Sequence, residues 1–156
     1  MISNLGVYLS IAEEALEESE RLEISARSPK PDGKPGFVIQ YDPERKAFKN
    51  SLITVTFAGI YLEALLYIVG ISRIGKTEYL KIDQKHYEEK LKKLGLTDSE
   101  LLDTCKRFRK VRNDLVHEKA LESAEMIEGE FFFAQREARN AVSFVKRVAA
   151  LLRHIP

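Results

Sequence analysis

SLITVTFAGIYLEALLYIVGIS, residues 51–72, is the stretch on which the fold turns. It carries one charge, Glu63, and is long enough for the roughly 20 apolar residues that a membrane span requires. Two features argue against a span. Glu63 sits near the midpoint, where a carboxylate costs on the order of 2.5 kcal/mol or more, and Thr54, Thr56 and Gly59 dilute the hydrophobicity. The reading that follows is a helix from about Glu44 to Val69 or Ile71, with Gly70 near its end, buried on most sides at the centre of a helical bundle.

Working outward, the preceding segment from Asn4 to about Arg27 places Leu5, Tyr8, Leu9, Ala12, Ala15, Leu16 and Leu22 at helical spacing beside a glutamate-rich face. Between these helices, SPKPDGKPGFVIQYDP (28–43) is too dense in proline and glycine to be helical. Residues 28–45 therefore read as a long loop, in which Phe37–Tyr41 could pair as a short strand or lie across the bundle. Beyond the central helix, a turn near 72–76 leads to a weaker helical stretch over 77–94, broken around Ile82-Asp83 and ended by Gly95. Thr97-x-x-Glu100 has the form of a capping box and opens a helix from Asp98 to about Lys119. After a polar connection at 121–129, a last helix runs from Glu130 to about His154. It shows an apolar stripe of Ala138, Ala141, Val142, Val145, Val148, Ala149, Leu152 and Ile155. The expected architecture is all-α, an up-and-down bundle of four to five helices forming one domain over 1–156, with a Pro/Gly-rich loop between the first two long helices.

The charges nearly cancel, 25 Lys+Arg against 24 Asp+Glu, so any affinity for nucleic acid has to come from local clustering. Cys105 is the only cysteine, which excludes an internal disulfide and a cysteine-based zinc cluster. It suits a reducing, cytoplasmic setting. Glu13 and Glu14 interrupt the first helix before a leader-like apolar run develops, so no secretory leader is expected. The chain has no glycine-rich phosphate loop, no HExxH and no Gly-x-Ser-x-Gly. No metal or cofactor is expected.

The chemistry concentrates in KRFRKVRNDLVHEK, residues 106–119. Lys106, Arg107, Arg109, Lys110 and Arg112 crowd into its first half and run into Asn113 and His117. At about 100° per residue, Leu101, Cys105, Phe108, Arg112, Leu115 and Val116 share one side, and Lys106, Arg109, Lys110, Asn113 and His117 another. Arg112 thus falls on the apolar stripe and needs a partner. Glu63, the lone charge of the central helix, is the expected one, either as a structural ion pair or as a carboxylate that orients a catalytic arginine. Arg112 and His117 lie about 140° apart around the axis. A two-fold dimer that brings two such helices together would complete a site most simply.

Arg112-Asn113-x-x-x-His117 resembles the Arg-x4–6-His signature of HEPN domains, in the RNxxxH form of their ribonuclease members. The order of helices agrees: an apolar helix with one acid, then the motif late in the bundle, then a long final helix. The resemblance implies a metal-independent endoribonuclease that acts as a homodimer, often as a toxin or defence effector. It implies RNA as substrate and an antitoxin or regulatory protein as a further partner. Arg112 and His117 would be the catalytic pair, with Asn113 in support. His117, with an ordinary pKa near ~6.5, would pass protons at the 2′-hydroxyl or 5′-oxygen, and Arg112 would stabilise charge on the phosphorane. Lys106, Arg109 and Lys110 would follow the RNA backbone. Lys119 stands where related toxins carry a tyrosine modified by a nucleotidyltransferase antitoxin, so that route of regulation is not expected.

Plainer readings stand beside these. The basic run can be a solvated face, and the bundle can bind RNA, a nucleotide or a protein without chemistry. Cys105 reads as an inert packing residue, His86 and His154 as incidental, and Phe131-Phe132-Phe133 as core or dimer contact.

Overall fold

The computed structural model describes residues 4–40, 43–116 and 134–154. It is predominantly helical: α1 (Leu5–Ser25), α2 (Lys46–Ile74), α3 (Lys76–Leu80), α4 (Tyr87–Lys93), α5 (Ser99–Val116) and α6 (Ala134–His154), with a short hairpin of β1 (Arg27–Pro29) and β2 (Phe37–Ile39). Antiparallel contacts set the bundle. Tyr8 meets Phe57 and Ser19 meets Ser51 across α1 and α2. Arg107 reaches Glu137 while Arg147 reaches Glu100 across α5 and α6, and Arg139 and Lys146 pair with Glu20 and Glu13 across α6 and α1. Most of these ion pairs are exposed and add little energy individually. They mark the register, and apolar burial holds it.

Helix α2 is the hub and is apolar around its circumference, as expected of a helix covered on several sides. Val55, Ala58, Leu62 and Leu66 are completely buried. By length and composition it is the one helix among the described residues apolar enough to cross a membrane, yet α1, α5 and α6 pack on it. The polar residues on its buried side bond locally. Ser51 donates to the Ala47 carbonyl at 2.9 Å, Ser19 donates to the same oxygen at 3.0 Å, and Thr54 donates to the Asn50 carbonyl at 2.9 Å.

Several expected boundaries move, each for a physical reason. Gly70 does not end α2. It lies inside the helix as a notch for Tyr79, whose ring a Cβ at this position would strike. The helix stops instead at Gly75, whose φ of 81° lies in the region that favours glycine. The 28–45 loop folds in part into the hairpin, where Ser28 pairs with Val38 and Gln40 N–H donates to the Ala26 carbonyl at 2.8 Å. The weak helical stretch breaks where expected, around Ile82-Asp83, into α3 and α4, with turns over 81–84 between them. Gly95 closes α4 as expected, with Leu96 N–H on the Leu91 carbonyl at 2.9 Å and Gly95 N–H on the Lys92 carbonyl at 3.1 Å. This is the paired bonding of a Schellman terminus.

The cap of α5 is Asp98, one residue after the expected Thr97: its Oδ1 accepts from Leu101 N–H at 2.8 Å. The buried stripe of α5 is Leu101, Cys105, Phe108 and Val111, with Leu115 partly buried and Val116 exposed. The final turn therefore does not present Val116 to the core. On α6 the expected stripe is buried from Ala138 to Leu152, joined by Phe144 and Glu137. Ile155 and Phe131-Phe132-Phe133 lie outside the described residues.

Asp98→Ala is expected to lower stability by about 1 kcal/mol, the usual cost of losing an N-cap, whereas Thr97→Ala should stay within about 0.5 kcal/mol of wild type. Urea denaturation of the two variants checks the assignment, and the reverse order would return the cap to Thr97.

Candidate functional site

Arg112 leaves α5 on the side facing α2, beside the buried stripe. Its guanidinium Nη1 donates to the Tyr87 hydroxyl at 3.1 Å and lies 3.2 Å from Glu63 Oε1. Tyr87 in turn donates to the same carboxylate oxygen at 2.6 Å. The tyrosine hydroxyl thus accepts from the arginine and donates to the glutamate, which satisfies both of its capacities. A third contact fixes the stem. Arg112 lies across Gly59 of α2, where a Cβ would overlap Nε and stand 2.6 Å from Cδ. Nε itself is buried and has no hydrogen-bond partner among the described residues.

These contacts differ in weight. The Glu63 side chain is 47% exposed and that of Arg112 25% exposed. Their ion pair therefore belongs with rim pairs worth at most about 1 kcal/mol. Tyr87 is almost wholly buried and stacks at 6.3 Å on Phe108, which packs at 5.3 Å against Phe144. Burial, reinforced by the hydrogen bond to Glu63, pushes the Tyr87 hydroxyl far above its ordinary range, so it stays protonated. Tyr87 is a fixed support for the arginine and, held as the neutral phenol, offers no phenolate base or nucleophile. The same cause raises the Cys105 thiol to about 12, which leaves it an inert packing residue at physiological pH.

Glu63, Tyr87, Arg112 and Asn113 line one cleft of about 410 Å³. The segment before and within α4, which carries Tyr87, also contributes Asp83, Lys85, His86 and Lys90. Arg109 also lines the cleft, and Glu88 accepts from it at 3.2 and 3.3 Å. Of the three cations expected to follow an RNA backbone, Arg109 thus turns inward as part of an ion pair, while Lys106 and Lys110 are exposed. His117 lies outside the described residues. Among the described residues no group of three or more histidine, cysteine or carboxylate side chains comes together as a metal site.

Sequence reasoning missed Tyr87, Lys90 and His86. His86 looked incidental for want of a nearby acid, but Glu63, from another helix, lines the same cleft. The available signal was the polar break at 81–86, which turns the chain at the mouth of the cleft.

A smaller cavity of about 190 Å³ lies between α5 and α6, lined by Phe108, Val111 and Phe144 and edged by Arg107 and Glu137. Burial works to raise the Glu137 carboxyl. Hydrogen bonds from Arg107 at 2.9 Å, Arg136 at 3.3 Å and Asn140 at 3.5 Å overcome it, and the carboxyl titrates below its ordinary range.

Comparison with known proteins adds no relative: no family model matches the chain, and no curated protein or solved structure matches it significantly.

Two outcomes follow from this geometry. Gly59→Ala should destabilise the fold by about 1–3 kcal/mol through overpacking against Arg112. Gly6→Ala, on the exposed side of α1 with nothing within 4 Å, should gain about 0.5–1 kcal/mol in helix propensity. Denaturant titration of both variants tests the notch. For Glu137, a lowered folded pKa means that its stabilisation is complete above the ordinary value of 4.5 and is lost as pH falls through the folded value. The stability gap between wild type and Glu137→Gln should accordingly narrow as melts are repeated from neutral pH down to about pH 3. A gap independent of pH would remove Glu137 from the acid transition.

Proposed function

We propose that the cleft beside Arg112 is the site of a metal-independent endoribonuclease of HEPN type, working in the cytoplasm as a homodimer. The observation that carries this reading is the fixed guanidinium of Arg112, held by Gly59, Tyr87 and Glu63 at the wall of a polar cleft with Asn113 beside it. An arginine clamped in place loses little freedom when it meets a phosphate, and its remaining donors suit the oxygens of a pentavalent phosphorane. The cleft suits an anionic ligand, because the cations Lys85, Lys90, Arg109 and Arg112 line it beside the carboxylates Glu63 and Asp83, and with Glu88 paired to Arg109 the balance is still positive by one charge.

In this mechanism the 2′-oxygen of the ribose bonds to phosphorus as the 5′-oxygen leaves. His117 takes the 2′-hydroxyl proton and returns a proton to the leaving oxygen. Arg112 stabilises the charge on the non-bridging oxygens, Asn113 supports it, and Glu63 keeps it in place. The products are a 2′,3′-cyclic phosphate and a 5′-hydroxyl. The dimer supplies the convergence that about 140° of separation on one helix denies Arg112 and His117. A toxin or defence role, restrained by an antitoxin or regulatory protein, follows from the same resemblance.

A non-catalytic module is the second reading. One observation favours it: Arg112 Nη1 is already shared between Tyr87 and Glu63, as a structural pair would be.

RNA cleavage by the full chain in EDTA decides between the two. Wild type is expected to leave 2′,3′-cyclic ends, and Arg112→Ala and His117→Ala to lose about a hundredfold or more in rate while keeping the wild-type circular dichroism spectrum. RNA binding without cleavage would support the module, and undiminished cleavage by either variant would refute the site.

A further inference from the structure

Among the described residues Lys90 is the only cation that is buried. Its side chain is only 8% exposed, yet it lines the cleft. The nearest carboxylate oxygen, Asp83 Oδ1, is 3.7 Å away, beyond the 2.7–2.9 Å of a charge-assisted hydrogen bond. The Tyr79 ring lies below the ammonium at 5.9 Å, near the outer limit of a cation–π contact. Tyr79 OH is buried without a hydrogen-bond partner among the described residues, so it does not take up one of the ammonium's donors. An ammonium has three N–H donors, and among the described residues none of Lys90's side-chain donors makes a hydrogen bond. The stem of the side chain is buried, and the ammonium lines the cleft with donors to offer. An anion entering the cleft is the species that would take them up.

The other cations of the cleft differ. Arg109 is bound to Glu88, and Arg112 to Tyr87 and Glu63. Lys85 and His86 are exposed and leave the approach to Lys90 basic. Among the described residues Asp83 is the one carboxylate paired with Lys90. Lys90 is carried by α4, whereas Arg112 is carried by α5, so the two address the cleft from different helices.

The geometry points to Lys90 as the anchor of a second phosphate subsite, which holds a phosphodiester group of the bound strand other than the one at Arg112. This rests on the reading of the cleft as an RNA site. Lys90 would act in binding and register, and the bond-breaking step would remain with Arg112 and His117. Asp83 would hold the ammonium loosely until the phosphate replaces it.

The test is fluorescence anisotropy of the full chain with a short, labelled 2′-O-methyl RNA strand, which cannot be cleaved for want of the nucleophile, over a series of salt concentrations. Lys90→Met keeps the length and apolar stem of the side chain. It is expected to weaken binding about tenfold, the scale of one charged hydrogen bond, and to lower the salt slope by about 0.7, the value for one phosphate of a single strand. Lys90→Arg should retain most of the affinity. Asp83→Asn, which removes the competing carboxylate, should tighten binding, and the gain should be lost in the Asp83→Asn/Lys90→Gln double variant, whereas a mere change in cleft charge would tighten binding in both backgrounds alike. This comparison also decides the matter should Lys90→Met fail to fold. Unchanged affinity and slope in Lys90→Met, or no tightening in Asp83→Asn, overturns the subsite. If Arg112→Ala still weakens binding in that case, the cleft remains the RNA site and only the role of Lys90 falls. If Arg112→Ala also binds as wild type, the reading of the cleft falls with it.

Discussion

Helix α2 is apolar on every side, and the rest of the molecule is arranged to cover it. Such a helix in water would expose large side chains such as Leu62, Leu65 and Leu66, each worth about 1.5–3 kcal/mol when buried. Helices α1, α5 and α6 remove that surface from solvent, and small residues along α2 set how closely they approach. Ser51 allows the contact with Ser19, Gly59 admits the stem of Arg112, and Gly70 admits the ring of Tyr79. Where the covering is incomplete, α2 carries its one mid-helix charge, Glu63. The cleft is the opening left at that point between α2, α4 and α5.

The support of Arg112 shows how a weak ion pair gains definition from its surroundings. A half-exposed carboxylate alone would hold a guanidinium loosely. Here a buried tyrosine, locked by stacking on Phe108, receives one donor, and a glycine notch receives the stem. Helix α5 consequently presents two basic edges with different fates. Arg109 and Arg112 turn to the cleft, whereas Arg107 turns to the buried Glu137 on α6. The run of cations in the sequence is thus divided among separate local environments and does not form one uniform electropositive face.

Helical periodicity and chain punctuation determined much of the fold. The stripe of α6, the breakers at 28–43, the end of α4 at Gly95 and the start of α5 near Asp98 were all legible, because a 3.6-residue repeat and the φ preferences of glycine and proline act locally. The charge pattern also singled out Arg112 and Glu63 as residues that need each other, since one acid in an apolar helix and one arginine beside an apolar stripe are costly unless paired.

Tertiary structure decided the rest, because distances between elements are not written in local periodicity. Gly70 looked like a terminator and proved to be a notch for a tyrosine from the next helix. Val116 fell on the apolar arc but is exposed, since α5 meets its neighbours along Leu101, Cys105, Phe108 and Val111. Tyr87, His86 and Lys90 carried no motif at all. They became cleft residues only when the break at 81–86 turned α4 against α5, bringing a hydroxyl and a lysine with a buried stem to the arginine and glutamate. The sequence by itself determined which segments are helical and which charges need partners. The packing of α4 on α5, and of α5 on α2, determined where those charges meet.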